Sequence, residues 1–201
     1  MNPSLYQRGA RLAMLILFVL GAFFPFQAGQ ADDLLAPLPR TGQTVSSRSG
    51  DDGDLEKGVA WPAPRFLDLG NGTVRDQLTG LVWIKHPDCF QAQNWFQAMD
   101  SVINLNSGLI GCTDYIRSSH QDWRLPNRKE LLSLIDFSRS GPALPAGHPF
   151  STNRSDDYYW SSTTYRSDTV YAWVIDLSTG LINRHNKGTL PHAIWPVRGG
   201  Q

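Results

Sequence analysis

The side chains of this 201-residue chain that could do chemistry are five histidines, two cysteines, a few carboxylate pairs, and arginines interleaved with tyrosines. His86, His120, His148, His185 and His192 show neither an H-E-x-x-H motif nor the spacing of a metal-binding set. His185 and His192 fall near strand ends, where solvated or structural roles are expected. Ser161-Ser162 lacks the flanking glycines of a nucleophile elbow and reads as a turn or strand feature. Asp156 and Asp157 are adjacent in a loop, where neighbouring side chains point apart and do not form an acid–base pair. Asp51-Asp52-Gly53-Asp54 begins like a calcium loop, but a complete site needs a distal bidentate carboxylate and Glu56 is too close to supply it. These residues predict no catalytic group, no metal and no cofactor.

Binding chemistry is better represented. Arg154, Arg166, Arg184, His185 and Lys187 fall on expected C-terminal loops or strand ends, interleaved with Tyr158, Tyr159 and Tyr165. Guanidinium groups match sulfate and carboxylate oxygens in pairs, and exposed tyrosines can lie against sugar rings, which suits an anionic polysaccharide. The same charges could instead be solvated and locally balanced by Asp156, Asp157, Asp168 and Asp176. Eighteen basic residues face 18 acidic ones, so no net basic field suggests a nucleic-acid partner.

Cys89 and Cys112 flank a helical pattern, Ala92, Trp95, Phe96, Met99, Val102 and Ile103, that repeats at three and four residues. In an exported chain two cysteines most simply form one disulfide, which here would stabilise by roughly 3 kcal/mol through loop closure. The alternative is a reactive pair.

These groups need a frame, and the frame reads as α+β. In Asp122-Trp123-Arg124-Leu125-Pro126-Asn127-Arg128-Lys129-Glu130, Pro126 holds Leu125 extended. Asn127 and Glu130 then form a box-like cap for a short helix that buries Leu131, Leu132, Leu134 and Ile135. Trp123 and Arg124 are expected to pack and hydrogen-bond rather than to face a ligand. Gly70-Asn71-Gly72 turns a hairpin between Phe66–Asp68 and Thr73–Asp76. Asp76-Gln77-Leu78-Thr79-Gly80 leads into Leu81–Lys85, and the same device returns at Asp176-Leu177-Ser178-Thr179-Gly180. Short aromatic strands are expected around Tyr158–Ser162, including Trp160, and at Tyr171–Asp176, Leu181–Asn186 and Ile194–Arg198. Residues 136–157, rich in Pro, Gly and Ser, read as a long ordered loop anchored by Phe150.

Ahead of this domain, Arg8 and Arg11 precede the apolar run Leu12–Leu20, with small residues at Gly29 and Ala31. The pattern is that of a signal peptide over 1–31, with an uncleaved anchor as the alternative. Residues 32–65 are polar and rich in Pro, Gly and Ser, which predicts a flexible linker before a domain at 66–201. The mature chain is then periplasmic or secreted, with no membrane contact after cleavage.

One ordered set of motifs points to a family. Phe66-Leu67-Asp68, Gly70-Asn71-Gly72-Thr73-Val74-Arg75-Asp76, Thr79-Gly80-Leu81-Val82-Trp83, the Asp122–Glu130 block, Tyr159-Trp160-Ser161-Ser162-Thr163, Ala172-Trp173-Val174 and Val197-Arg198 occur in this order. The set resembles the C-terminal domain family of the Legionella collagen-like protein. That resemblance implies a C-type-lectin-like α+β fold, and the namesake is associated with sulfated glycosaminoglycans. No collagen-like Gly-X-Y tract occurs here, so a trimeric stalk is not implied. The Trp-Arg-Leu-Pro segment is also similar to the formylglycine-generating enzymes, whose cysteines lie late in the chain, whereas none here follows Cys112. Calcium-dependent lectins of the superfold use Glu-Pro-Asn or Gln-Pro-Asp loops and a Trp-Asn-Asp strand. None is present, so metal-bridged sugar binding is not expected. The sequence therefore predicts a non-enzymatic recognition domain for a glycan or an envelope protein. A formylglycine-type enzyme or a structural envelope subunit is the alternative.

Overall fold

A computed structural model describes residues 38–112, 120–151 and 158–199, all within one compact unit spanning 36–201. The expected signal peptide lies outside the described residues. Among the described residues, two antiparallel sheets and three α-helices make an α+β fold. The first sheet has the order β1-β2-β3-β7, from Phe66–Asp68, Thr73–Asp76, Val82–Ile84 and Val197–Arg198. The second has the order β4-β5-β6, from Tyr158–Thr164, Tyr171–Asp176 and Ile182–Asn186. Helix α1 is Asp52–Leu55, α2 is Trp95–Ser107 and α3 is Arg128–Ser133. No helix among the described residues is long and apolar enough to cross a membrane.

Local chemistry sets the element ends. The β1–β2 hairpin pairs Phe66 with Asp76, and Gly70 and Gly72 adopt the left-handed φ values its turn needs. Asn127 accepts from the backbone N–H groups of Lys129 and Glu130, while the Glu130 carboxylate accepts from the Asn127 N–H. The same reciprocal box occurs at Asn94 and Gln97, and Gly108 ends α2 in the left-handed conformation. On α2 the buried face is Ala98, Ser101, Val102 and Leu105, whereas Phe96 and Ile103 are more than half exposed. The helix starts at Trp95, three residues after the first member of the 3–4 spacing, Ala92, and its packed face turns away from Phe96 and Ile103.

The core joins the sheets through aromatic residues. Trp83, Trp160, Trp195 and Tyr159 are fully buried, and Trp195 packs against Trp83, Phe150 and Tyr159 with centroid separations of 4.9–5.7 Å. Its indole N–H donates to the Ile84 carbonyl at 2.8 Å, so a polar atom on a large buried ring is satisfied. Phe150 is buried and anchors the described part of the loop, residues 136–151. The closing segment 187–199 acts as a zip. It pairs His192 with Gln93, Ala193 with Tyr159 and Val197 with Arg124, and so ties both sheets to the helices.

Of the segment expected to be a flexible linker, residues 38–65 are described, and they are packed on the domain instead. The Phe137 N–H donates to the Thr41 carbonyl, and the Trp61 indole donates to the Arg40 carbonyl. Arg65 is buried against Asp76 at 3.1 Å, donates also to the Ser133 carbonyl, and lies between the rings of Trp61 and Phe66. The stretch is poor in apolar residues, but Trp61 and Arg65 suffice as anchors because each brings ring contacts and hydrogen bonds together. We call residues 38–65 the strap.

Candidate functional site

The two faces of the second sheet treat its polar residues differently. On one face, Trp95 and the chain entering α2 pack at the end of β6, where the Trp95 backbone N–H donates to the Lys187 carbonyl. Lys187 sits there with only 8 % of its surface exposed, its ammonium 4.3 Å above the Trp95 ring and donating to the Thr164 hydroxyl at 2.8 Å. Burial lowers its pKa. Lys187 is therefore a packing residue, a correction to its expected place on an anion-binding surface. Its long stem lets it lie flat on a ring that the sequence places far upstream.

His185 and His192 share that face. His185 Nδ1 and His192 Nε2 are 2.6 Å apart, one donating and the other accepting. Tyr158 stacks edgewise on His185 at 4.6 Å and Trp160 on His192 at 4.7 Å. Burial, and then the neighbouring His185, push His192 down to about 4, and burial lowers His185 as well. Both rings are neutral at physiological pH, and the pair is a clasp between β6 and the closing segment. Tyr158 and His185 are thus gathered together, but away from the arginines with which the sequence grouped them. No group of three or more metal-ligating side chains occurs among the described residues.

At the outer edge of the sheet, Tyr165, Asp168, Tyr171, Asn183 and Arg184 line an open pocket of about 360 Å³, with Tyr171 and Arg184 on the face opposite His185 and Asn183 reaching it from the strand edge. Tyr165 follows β4 directly, Asp168 lies in the turn before β5, Tyr171 opens β5, and Asn183 and Arg184 belong to the edge strand β6. The Asp168 carboxylate accepts the Val170 N–H and fixes the turn. Arg184 lies 4.9 Å over the Tyr165 ring, which orients the guanidinium without using its N–H groups. Two of the expected binding residues, Tyr165 and Arg184, therefore meet. Arg166 is exposed on the adjoining turn, and Arg154 lies outside the described residues. Asp168, Tyr171 and Asn183 are new members of the group. The only sequence signal for them is cross-strand register, which a single strand does not disclose. A larger, mostly apolar recess of about 470 Å³ lies where the strap meets α3, between Leu38, Leu132, Ile135 and Phe137. It is an open groove whose surface is mostly apolar although Arg40, Thr41, Lys129 and Ser133 also line it, whereas the smaller pocket brings a carboxylate, an amide, a guanidinium and ring faces together.

Within the Asp122–Glu130 block, Trp123, Arg124, Pro126, Asn127 and Glu130 have structural roles. Trp123 is buried, and its backbone N–H and carbonyl both bond to the Asn106 side chain. Arg124 meets Glu130 in two parallel bonds of 2.7 Å, and this pairing raises its pKa. Pro126 passes its carbonyl to the Ser162 N–H, which joins the block to β4 beside the buried Trp160. Cys89 and Cys112 form a disulfide with Cα atoms 5.2 Å apart, which pins the turn before α2 to the chain after it.

Residues 72–198 match the model of a family described as the Lcl C-terminal domain, that of the Legionella collagen-like protein. No curated protein matches the chain.

Proposed function

The chain belongs to the Lcl C-terminal domain family, and on that premise we propose that it is a non-enzymatic recognition domain that binds glycan outside the cytoplasm. The observation that carries this reading is the pocket of Tyr165, Asp168, Tyr171, Asn183 and Arg184. Ring faces, a carboxylate, an amide and a guanidinium converge there. This is the mixture a sugar needs, since each unit offers both C–H faces and hydroxyl groups.

The groups that would suggest catalysis have structural partners. The cysteines are bonded to each other, His185 and His192 face each other, and the Ser161 hydroxyl donates to the Trp173 carbonyl at 2.7 Å. The disulfide supports an oxidising compartment, periplasmic or extracellular.

The test is retention of residues 32–201 on immobilised acidic and neutral glycans, with and without EDTA and over a salt series. Retention on an acidic glycan that weakens with salt and ignores EDTA is expected, because exposed charges are screened over about 8–10 Å at moderate ionic strength. Tyr165→Ala with Arg184→Gln should abolish it and leave the fold intact. Absence of retention on every glycan would sink the reading in favour of an envelope-protein partner.

A further inference from the structure

The pocket does not end at Arg184. Tyr165 stands edge-on to Trp173, with ring centroids 5.4 Å apart and planes at 85°, and the Arg128 guanidinium lies 4.6 Å over the Trp173 ring. Arg184, Tyr165, Trp173 and Arg128 thus form a continuous row of two aromatic rings with a stacked cation at each end. The row crosses the sheet from the edge strand to the start of α3. Trp173 and Arg184 are also register partners across β5 and β6, so the backbone ladder fixes the spacing.

Arg128 and Arg184 differ from four other arginines of the chain. Arg40, Arg65, Arg124 and Arg198 spend their N–H groups on Glu56, Asp76, Glu130 and Asp122. Arg128 and Arg184 make no ion pair and no side-chain hydrogen bond among the described residues. A ring beneath each guanidinium holds its plane while leaving the N–H edge open. Such a fork is already oriented for a planar carboxylate, so less rotamer entropy is lost when one binds. At the Arg184 end the fork shares its pocket with Asp168, whose carboxylate repels an acid and calls for hydroxyl donors. Among the described residues no carboxylate forms an ion pair with Arg128.

Resting on the glycan reading above, we propose that Arg128 and Trp173 form a second subsite, and that the ligand is a linear glycan in which a hydroxyl-rich unit adjoins a uronic-acid unit. The hydroxyl-rich unit occupies the pocket, bonded to Asp168 and Asn183 against Tyr165. The carboxylate of its neighbour takes the open edge of Arg128. An acidic peptide fits less well, because it offers Asp168 no run of hydroxyl donors.

The experiment compares binding of an oligosaccharide of alternating uronic acid and N-acetylhexosamine with binding of the same oligosaccharide after reduction of its carboxyls to alcohols. Arg128→Gln should weaken the acidic form about tenfold and leave the reduced form unchanged, with an unaltered thermal melt. Arg166→Gln, which removes the same charge from an unstacked position, should change either form less than twofold. Asp168→Asn should weaken both. If Arg128→Gln and Arg166→Gln weaken the acidic form equally, attraction is a general field and the subsite is overturned. If wild type binds the acidic form and Arg128→Gln is unimpaired, the subsite alone is overturned. A wild type that binds neither form overturns the glycan reading itself.

Discussion

Between β2 and β3 the chain turns through Asp76–Leu81, and between β5 and β6 it turns through Asp176–Leu181. Both turns carry one hydrogen-bond plan. The Asp N–H donates to the Leu carbonyl and the Gly N–H to the Asp carbonyl, all at 2.8 Å. The Thr hydroxyl donates to the Asp carboxylate, at 3.0 Å in the first turn and 2.7 Å in the second. Gly80 and Gly180 take φ of +74° and +75°. Their surroundings are opposite. Asp76 is fully buried and answered by the Arg65 guanidinium, while Gly80 has open space where a Cβ would stand. Asp176 is bonded by the Ser178 hydroxyl in place of a cation, and Gly180 is buried with Ile135 Cγ2 2.9 Å from that point. One local code is thus locked by charge at one end of the fold and by packing at the other.

The largest effect that would break this contrast comes from Arg65. Arg65→Ala leaves Asp76 buried without its cation and detaches the strap from the Ser133 carbonyl. A loss of about 3–5 kcal/mol in urea melts is expected. Adding Asp76→Asn should recover part of it, because a neutral amide costs less to bury than an unpaired carboxylate. A loss below about 1 kcal/mol would show that the charge does not lock the first turn.

The glycines sharpen the contrast next. Gly80→Ala meets only the left-handed backbone penalty, about 1–2 kcal/mol. Gly180→Ala adds a contact with Ile135 that the packed seam must absorb, so roughly 2–4 kcal/mol is expected. Equal melts for the two variants would remove the packing half of the comparison.

These turns also mark where the sequence suffices. Asp, Thr and Gly at fixed offsets specify the turn through neighbours alone, as Asn127 and Glu130 specify the start of α3. The Asn94–Gln97 box starts α2 by the same offset, but the apolar spacing that begins at Ala92 obscures it in the sequence. What the offsets do not carry is the choice of Arg65 as the distant partner of Asp76, or the burial of Lys187 beneath Trp95. Both depend on chain brought from far away. The candidate site divides in the same way. Tyr165 and Arg184 are legible as an aromatic and a cation near strand ends, but the register of β5 on β6 decides that Asp168, Tyr171 and Asn183 join them. The polar composition of residues 38–65 likewise hides the strap, whose docking rests on a handful of anchors.

The smallest expected effect lies in the second turn and is pH-dependent. Burial alone would raise the Asp176 carboxyl, but the hydroxyl and amide donors of Ser178 and Thr179 outweigh it and hold the pKa below the ordinary value. A carboxylate depressed in the folded state contributes stability that is present above its unfolded pKa of about 3.9 and is lost as pH falls through the folded value. Thr179→Val removes one of these donors and should cost about 1 kcal/mol at pH 7. The gap between Thr179→Val and wild type should then narrow as acid protonates Asp176, because the hydroxyl no longer has an anion to donate to. Urea midpoints of both proteins from pH 7 down to the acid limit of folding would show this convergence. A gap that stays constant across that window would mean that Thr179 acts through its methyl packing, and the hydrogen-bond account of the second turn would fall.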